Sequence, residues 1–388
     1  MRFSNVDDWK VIKLSEYADF LQGLTYHPEN VKHSGTLVLR SSNIQNGKLD
    51  FNDCVYVDMV IPKRISTRKN DVLMCVRNGS KALVGKTAII DDQNENHAWG
   101  AFMSVLRPKD NSTFLFHYLN SKYFTNQIKA DLNTATVNQI TFGMLNHCNI
   151  SIPLNQIEKN KICDLLDKIN LRIDTQNKII RDLKVLIKRF LDFDYKTNTS
   201  EYEDVLLSSI LTESKILNIN NNEVYSVAVE DGVVNQVEHL GRSFAAKDTS
   251  NYHVAKYGDI IYTKSPTGSF PYGIVKQSFI KNDVAVSPLY GIYHPNSYEI
   301  GYYIHHYFLY AINCNNYLHP LVNKGAKNTM NITNTRFLEG KILVPNNNER
   351  VINIHHFLHV LNKKLQNEIA INNKLLDQKA FLLKNLFI

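Results

Sequence analysis

The chain lacks most of what would mark it as an enzyme, a secreted protein or a membrane protein. Its five cysteines, Cys54, Cys75, Cys148, Cys163 and Cys314, are scattered and form no Cys-x-x-Cys pair. That spacing argues against a zinc ribbon or a disulfide framework, and the thiols read as reduced and mostly buried. No apolar run approaches the ~18 residues of a membrane-spanning helix. The first residues, MRFSNVDDWK, lack the apolar core of a secretory signal, so a cytoplasmic location is expected. Neither Gly-x-Ser-x-Gly nor Gly-x-Gly-x-x-Gly occurs, and no Asn-Pro-Pro-aromatic or Asp-Pro-Pro-aromatic tetrapeptide of an amino-methyltransferase is present. Val84-Gly85-Lys86-Thr87 resembles the end of a P-loop. However, Gly79 is one residue too far away, and Thr87-Ala88-Ile89-Ile90 continues as a strand where phosphate binding needs a helix N-terminus. His355 and His359 stand one helical turn apart without a zincin glutamate or a third ligand, so no metal site is expected. Together these absences favour a binding protein over an enzyme. The net charge of +7 tolerates a nucleic-acid partner without demanding one.

What is present is a repetition. Ile150-Ser151-Ile152-Pro153, read as the start signal of a long helix, recurs as Ile342-Leu343-Val344-Pro345, an offset of 192 residues. The offset also relates Ile140 to Ile332, Thr141 to Thr333, Leu145 to Phe337, Ile162 to Ile354, Leu166 to Leu358 and Ile169 to Leu361. A repeat of this length is a duplicated domain plus spacer rather than a solenoid unit.

Two rods follow the two signatures. From about Asn155 to Leu191, apolar residues fall at Ile162, Leu166, Ile169, Ile173, Ile180, Leu183, Ile187 and Phe190, a heptad seam that passes through Gln176. Some 37 residues of helix would measure roughly 55 Å. The second run, from about Asn347 to Phe387, begins with Ile354, Leu358, Leu361 and Leu365. The apolar residues then slip by one, to Ile369, Leu376, Ala380, Leu383 and Phe387, a shift that would locally unwind a supercoil. A lone seam leaves its apolar stripe in water, so the rods are expected to pair with each other. If a pseudo-twofold relates the halves, the pairing is antiparallel. Two helices lying each on its own domain would be the plainer arrangement.

The remaining halves show strand-like runs at Leu37–Arg40, Asp71–Val76, Thr87–Ile90, Gly258–Thr263 and Tyr272–Val275, with short helices expected at Thr113–Tyr123 and Ile300–Ala311. Asp71-Val72-Leu73 aligns with Asp259-Ile260-Ile261, and Gly79-Ser80 with Gly268-Ser269. The polar segment Lys196–Ser200 reads as a junction. The expected class is therefore α+β: two similar α/β domains separated by two long helices pairing as an antiparallel coiled coil. The boundaries fall at 1–151, 152–195, 196–343 and 344–388.

Polar loops follow the strands at matching places. Arg77-Asn78-Gly79-Ser80-Lys81 has its counterpart in Lys264-Ser265-Pro266-Thr267-Gly268-Ser269. A second pair, Asn133–Gln139 with Asn138, and Lys324-Gly325-Ala326-Lys327-Asn328-Thr329, precedes the last short helix of each half. Arginine and lysine can bond guanine, asparagine adenine, and serine or threonine phosphate. Such residues are also ordinary turn formers. A duplicated scaffold carrying unlike loops suits the reading of two different half-sites. Arg40, Arg77, Asn78, Ser80, Lys81, Asn138, Lys264, Thr267, Ser269, Lys324, Lys327 and Asn328 are the candidate DNA-binding residues.

In these features the chain resembles the specificity subunits of type I restriction–modification systems over essentially its whole length. The layout carries the resemblance, with WKVIKLSEYADFLQG from Trp9, LRSSNIQNG from Leu39, the Asp-Val-Leu and Asp-Ile-Ile strand openings, and SIPLNQIEKNKICDLLDKINLRI from Ser151. Lys159 stands where the family favours Gln, VPNNNERVINIHHFL is an eroded second copy, and DVLLSSIL from Asp204 lacks a Trp. The resemblance implies two target-recognition domains, each binding half of a bipartite, asymmetric site in double-stranded DNA. It also implies helices that set the spacing and dock two methyltransferase subunits through residues including Ile162, Leu166, Ile169, Ile173, Leu183, Ile187, Ile354, Leu358, Leu361 and Leu365. S-adenosylmethionine, ATP and Mg would belong to the methyltransferase and restriction subunits, leaving this chain without a catalytic site. A coiled-coil scaffold without DNA specificity, an enzyme with an unfamiliar site such as a nuclease, and the specificity part of a related restriction–modification system are the other readings.

Overall fold

The computed structural model describes residues 8–134, 137–240, 248–324 and 330–387. It mixes helix and strand and divides into two compact units, Met1–Asn177 with Ala370–Ile388, and Lys178–Ile369.

In the first unit, a four-stranded antiparallel sheet runs in the order Ala18–Gln22, Met103–Pro108, Val72–Cys75, Thr87–Ile89. The segment Val72-Leu73-Met74-Cys75 has no polar residue because both of its faces are covered. Alternate side chains point to opposite faces of a strand. Val72, Met74 and Leu106 therefore join a core with Phe114, Tyr118 and Leu166, whereas Leu73, Cys75 and Val105 join a second core around Trp99 and Val38.

The second unit repeats this plan. Leu211–Glu213, Gly291–Pro295, Ile260–Tyr262 and Val275–Gln277 form an antiparallel sheet of the same order. Ile260, Tyr262 and Tyr293 face a core with Phe308, Phe337 and Leu358, while Ile261 and Ile292 face a smaller one with Val284 and Val286.

The repeated signatures Ile150–Pro153 and Ile342–Pro345 are strands rather than helix starts. Asn149–Pro153 pairs antiparallel with Trp9–Lys13, and Lys341–Pro345 with Tyr202–Leu206. The helices begin only after a second repeated device, Asn155 and Asn347. Their side-chain oxygens accept the Ile157 and Glu349 amides, each at 2.8 Å, as N-caps do. Register also places Tyr202 opposite Pro345, as Trp9 stands opposite Pro153, so a tyrosine fills the position where the second half has no Trp.

Other expectations shift for local reasons. The helix expected at Thr113–Tyr123 breaks into Phe114–Leu119 and Lys122–Thr134. Asn120 donates to the Phe116 carbonyl at 2.7 Å and Ser121 to that of Tyr118 at 2.6 Å, taking up carbonyls that a continuous helix would use. The later helix spans Tyr298–Leu309, capped by the Ser297 hydroxyl on the Ile300 amide. The strand expected at Tyr272–Val275 lies further on, at Val275–Gln277. Gly273 forms the turn before it at φ +101°, where a Cβ would fall 1.8 Å from the Thr263 carbonyl oxygen. Asn133 and Thr134 belong to a helix rather than a loop, and Lys196 and Thr197 end the first long helix.

The long helices span Gln156–Thr197, 42 residues, and Asn348–Asn385, 38 residues. At ~1.5 Å per residue they measure about 63 and 57 Å. In the first unit, Ile162, Leu166, Ile169 and Ile173 share a core with Leu375, Leu382, Leu386 and Phe387. In the second, Leu191 shares one with Val351, Ile354 and Leu358, and the Phe190 and Phe357 rings lie 4.6 Å apart. Ile187 and Leu365 are buried, and Leu183 and Leu361 half-buried. The expected slip in the second helix is met only in part: Ile369 is half-buried and Leu383 and Phe387 are buried, but Leu376 and Ala380 are exposed. A series of buried and half-buried positions, Leu361, Leu365, Glu368, Asn372, Leu375, Lys379, Leu382 and Leu386, continues alongside in steps of three and four. Leu376 is 45% exposed, against 6% for Leu375. Polar residues occupy three positions of that series, so following the apolar residues alone leads to Leu376 and Ala380, which lie off it.

Candidate nucleic-acid interface

The sheet edge of the first unit gathers three loops. Past the strand Val72–Cys75, the Val76 and Arg77 amides both donate to the Phe102 carbonyl, at 3.0 and 3.1 Å. Arg77 bridges Gln139, and the Asn78 amide donates to the Asn138 carbonyl at 3.3 Å. Asn138 returns a side-chain bond to the Gly79 carbonyl at 3.0 Å. Asn78 donates to the Ser41 hydroxyl at 3.2 Å, and its own oxygen accepts the Ser80 amide at 3.0 Å. Arg77, Asn78, Ser80, Lys81 and Asn138 are thus brought to one place, with Arg77, Ser80 and Lys81 exposed.

Arg40 stands beside this cluster, but Asp53 engages it at 2.8 Å. Lys86, the P-loop look-alike, donates to the Ile44 carbonyl at 3.0 Å, and Thr87 is strand. The loop Leu39–Gly47 is held from inside by Asn43, which is fully buried. Asn43 accepts the Arg40 amide and donates to the Asp50 and Asp53 carbonyls, all at 2.9 Å. A buried amide must satisfy its donors, so this side chain fixes the loop. The sequence does not single out Ser41 or Phe102, whose partners Asn78 and Arg77 lie far along the chain, nor Asn43, whose hydrogen bonds stay within its own loop.

In the second unit the corresponding loop is a tight hairpin. Thr267 and Phe270 exchange backbone hydrogen bonds at 3.0 and 2.9 Å, with Gly268 at φ +52° between them. Asn315 donates to the Ser269 carbonyl at 3.0 Å. Thr267 and Ser269 are exposed. Lys264 is half-buried beside a cleft of about 140 Å³ that Tyr262, Pro266, Tyr272 and Ile332 help to line. Burial holds its ammonium below the usual lysine range, and Glu213 opposes that shift. Lys324 ends a two-residue strand paired with Met330–Asn331. Lys327 and Asn328 lie outside the described residues.

The Asp-Val-Leu and Asp-Ile-Ile openings have a structural explanation. Asp71 is fully buried, accepts the Arg68 amide at 2.8 Å, and takes two bonds from Arg107 at 2.7 and 2.8 Å. Asp259 accepts the Lys256 amide at 2.8 Å and meets His294 at 2.9 Å. Both aspartates brace the strand that carries the loop rather than belonging to the interface. No group of three His, Cys, Asp or Glu residues arranged for a metal occurs among the described residues. His355 packs against the Tyr298 and Tyr302 rings.

The model of the type I restriction modification DNA specificity domain matches residues 6–185. Over that stretch, a little under half of its length, the chain is similar to the type I restriction–modification specificity subunits. It is 25% identical over 293 residues to the EcoKI specificity subunit of Escherichia coli K12, covering 66% of this chain and 61% of that protein. It is 27% identical over 191 residues to the StySPI specificity subunit of Salmonella potsdam, covering 47% and 41%. The matched part thus spans about two-fifths to three-fifths of these relatives. Among solved structures, the type I S subunit from M. genitalium superposes with a TM-score of 0.61 at 15% identity, covering 100% of this chain and 98% of that one. A chain from a structure of type I R-M complex assembly and conformational transition gives 0.57 at 14% identity, covering 98% of each. At those identities the likeness is one of fold. No helix among the described residues is long and apolar enough to cross a membrane.

Proposed function

We propose that this chain is a specificity subunit and binds a bipartite, asymmetric site in double-stranded DNA, each unit reading one half. The observation that carries the reading is a repeated sheet order ending in loops of unlike side chains. The first offers Arg77, Asn78, Ser80 and Lys81, and the second Lys264, Thr267 and Ser269. A common scaffold holds each loop against the duplex, while the differing donors specify different bases.

The domains follow the boundaries 1–151, 152–195, 196–343 and 344–388. The long helices pair as an antiparallel coiled coil, an arrangement supported within each unit. The start of the first helix packs with the end of the second, and the end of the first with the start of the second. Half-sites on one face of B-DNA recur about every 34–36 Å, a distance that rods of this length can set. The helices dock two methyltransferase subunits, and restriction subunits complete the complex. Those partners hold S-adenosylmethionine, ATP and Mg. This chain supplies the address and no catalytic group.

The decisive experiment maps adenine methylation genome-wide by single-molecule sequencing, in cells with and without the chain. Loss of one motif of two short blocks around a fixed gap is the expected result. No change in any motif, with the methyltransferase subunits present and active, would defeat the reading. Variants at Arg77 or Lys81 are expected to alter only one block, and variants at Lys264 or Thr267 only the other.

A further inference from the structure

In the first unit the Arg77 guanidinium lies over the Phe102 ring, 5.1 Å from its centroid. Phe102 is 56% exposed, so its ring stands at the surface where the guanidinium covers part of it. The two residues are locked together from the backbone, because the Phe102 carbonyl accepts both the Val76 and Arg77 amides. No carboxylate pairs with Arg77 among the described residues, in contrast to Arg40, which Asp53 holds. A cation–ring contact uses no N–H donor, so the fixed fork of guanidinium donors stays available. Two donors of that fork can make parallel bonds to guanine O6 and N7 in the major groove.

At the matching loop positions of the second unit no such pair occurs among the described residues. Leu106 stands opposite Val72 as Tyr293 stands opposite Ile260. Counting from those registers, Ser265 takes the place of Arg77 and Leu289 that of Phe102. Leu289 is 71% exposed but has no ring to offer.

We infer that Phe102 is a positioning residue for Arg77, and that the pair selects a guanine in the half-site read by the first unit. This rests on the reading of the two units as half-site recognition domains.

The test uses the assembled methyltransferase complex with a panel of DNA duplexes varied one base pair at a time, alongside methylome mapping. Arg77→Ala is expected to cut discrimination for guanine at one base pair by about 5- to 150-fold. Phe102→Leu, which keeps an apolar side chain of similar bulk, should cut it by about 2- to 5-fold at the same base pair. Phe102→Tyr should retain it. In the Arg77→Ala background, Phe102→Leu should have no further effect, because it acts through Arg77. Preference in the other half-site should not move. Equal losses from Phe102→Leu and Phe102→Tyr, or an undiminished effect without Arg77, would make Phe102 merely structural and overturn the inference. An intact bipartite motif unmoved by Arg77→Ala would overturn the guanine contact while sparing the half-site reading. Absence of any bipartite motif with the unaltered chain would overturn that reading itself.

Discussion

The two units share a frame and differ in how each tightens it. Where the first buries Asp71 against the two-pronged Arg107, the second sets Asp259 against His294, whose side chain is 69% exposed. Where the first packs Trp9 and Phe387 against the Phe114 ring, the second surrounds Tyr202 with Asp194 and Arg350. Where the first lays Arg77 on Phe102, the second has Ser265 and Leu289. The strand order and the capping asparagines Asn155 and Asn347 are shared. Backbone pairing fixes the frame, and one frame tolerates either chemistry at the same position.

The largest expected difference lies at the buried aspartates. Removing one partner of a buried pair leaves the other charge uncompensated, at about 3–5 kcal/mol. Arg107 is only 16% exposed, so Asp71→Ala should cost roughly 3 kcal/mol. Asp259→Ala should cost about 1–2 kcal/mol, since His294 already reaches water. Hydrogen exchange resolved by segment separates the two units. Equal losses would show that the two pairs are energetically interchangeable.

Next in size is the seam of the second long helix. Leu375→Ala should destabilise the first unit by about 2–3 kcal/mol and Leu376→Ala by under about 0.5 kcal/mol, as their burial dictates. Urea unfolding of the two variants decides it, and the reverse order would put Leu376 rather than Leu375 on the seam. Here the sequence was legible only in part. Heptads in the first helix were legible because only Gln176 interrupts them. In the second, Glu368, Asn372 and Lys379 occupy the seam, and their burial depends on neighbours far away in the chain. The strands Asn149–Pro153 and Lys341–Pro345 were misread for a related reason, since a proline before a helix looks the same whether or not a distant strand pairs with it. The strand openings at Asp71 and Asp259 and the turns at Arg77–Lys81 and Lys264–Ser269 were legible because they depend on local pattern. Phe102 was not, because its role depends on a carbonyl and a ring meeting Arg77 across the fold.

The second unit should also respond to acid through His306. Burial above all, with the charge of Lys276 adding to it, pushes this imidazole down to about 4, while the bond to the Tyr302 carbonyl acts the other way. Asn362 contacts its second ring nitrogen at 3.0 Å. Below about pH 6.5 the unfolded chain takes up a proton that the folded unit refuses. Stability is therefore complete above that value and falls as pH drops towards 4. His306 alone accounts for a loss of about 2 kcal/mol between pH 7 and pH 5, and His305, which burial also holds well below the usual histidine range, adds to it. Urea midpoints at both pH values test this, and His306→Gln should reduce the slope without abolishing it. An unchanged slope would place the acid response elsewhere.

The smallest effect tests the contrast between the two junctions. The Tyr202 hydroxyl donates to the Asp194 carboxylate, which Arg350 also holds with two bonds of 2.9 Å. At the matching position, the Trp9 indole N–H is buried and finds no acceptor among the described residues. The first junction therefore draws on apolar contact, whereas the second draws on a charged hydrogen bond that Tyr202→Phe would remove. That substitution should cost about 1 kcal/mol in the second unit. The cost should shrink in high salt, since Glu201 and Arg350 leave part of the network open to screening. A cost independent of salt would mean that the ring of Tyr202, packed against Arg350 as Trp9 is against Phe114, matters more than its hydroxyl. The two junctions would then be alike in physics as well as in position.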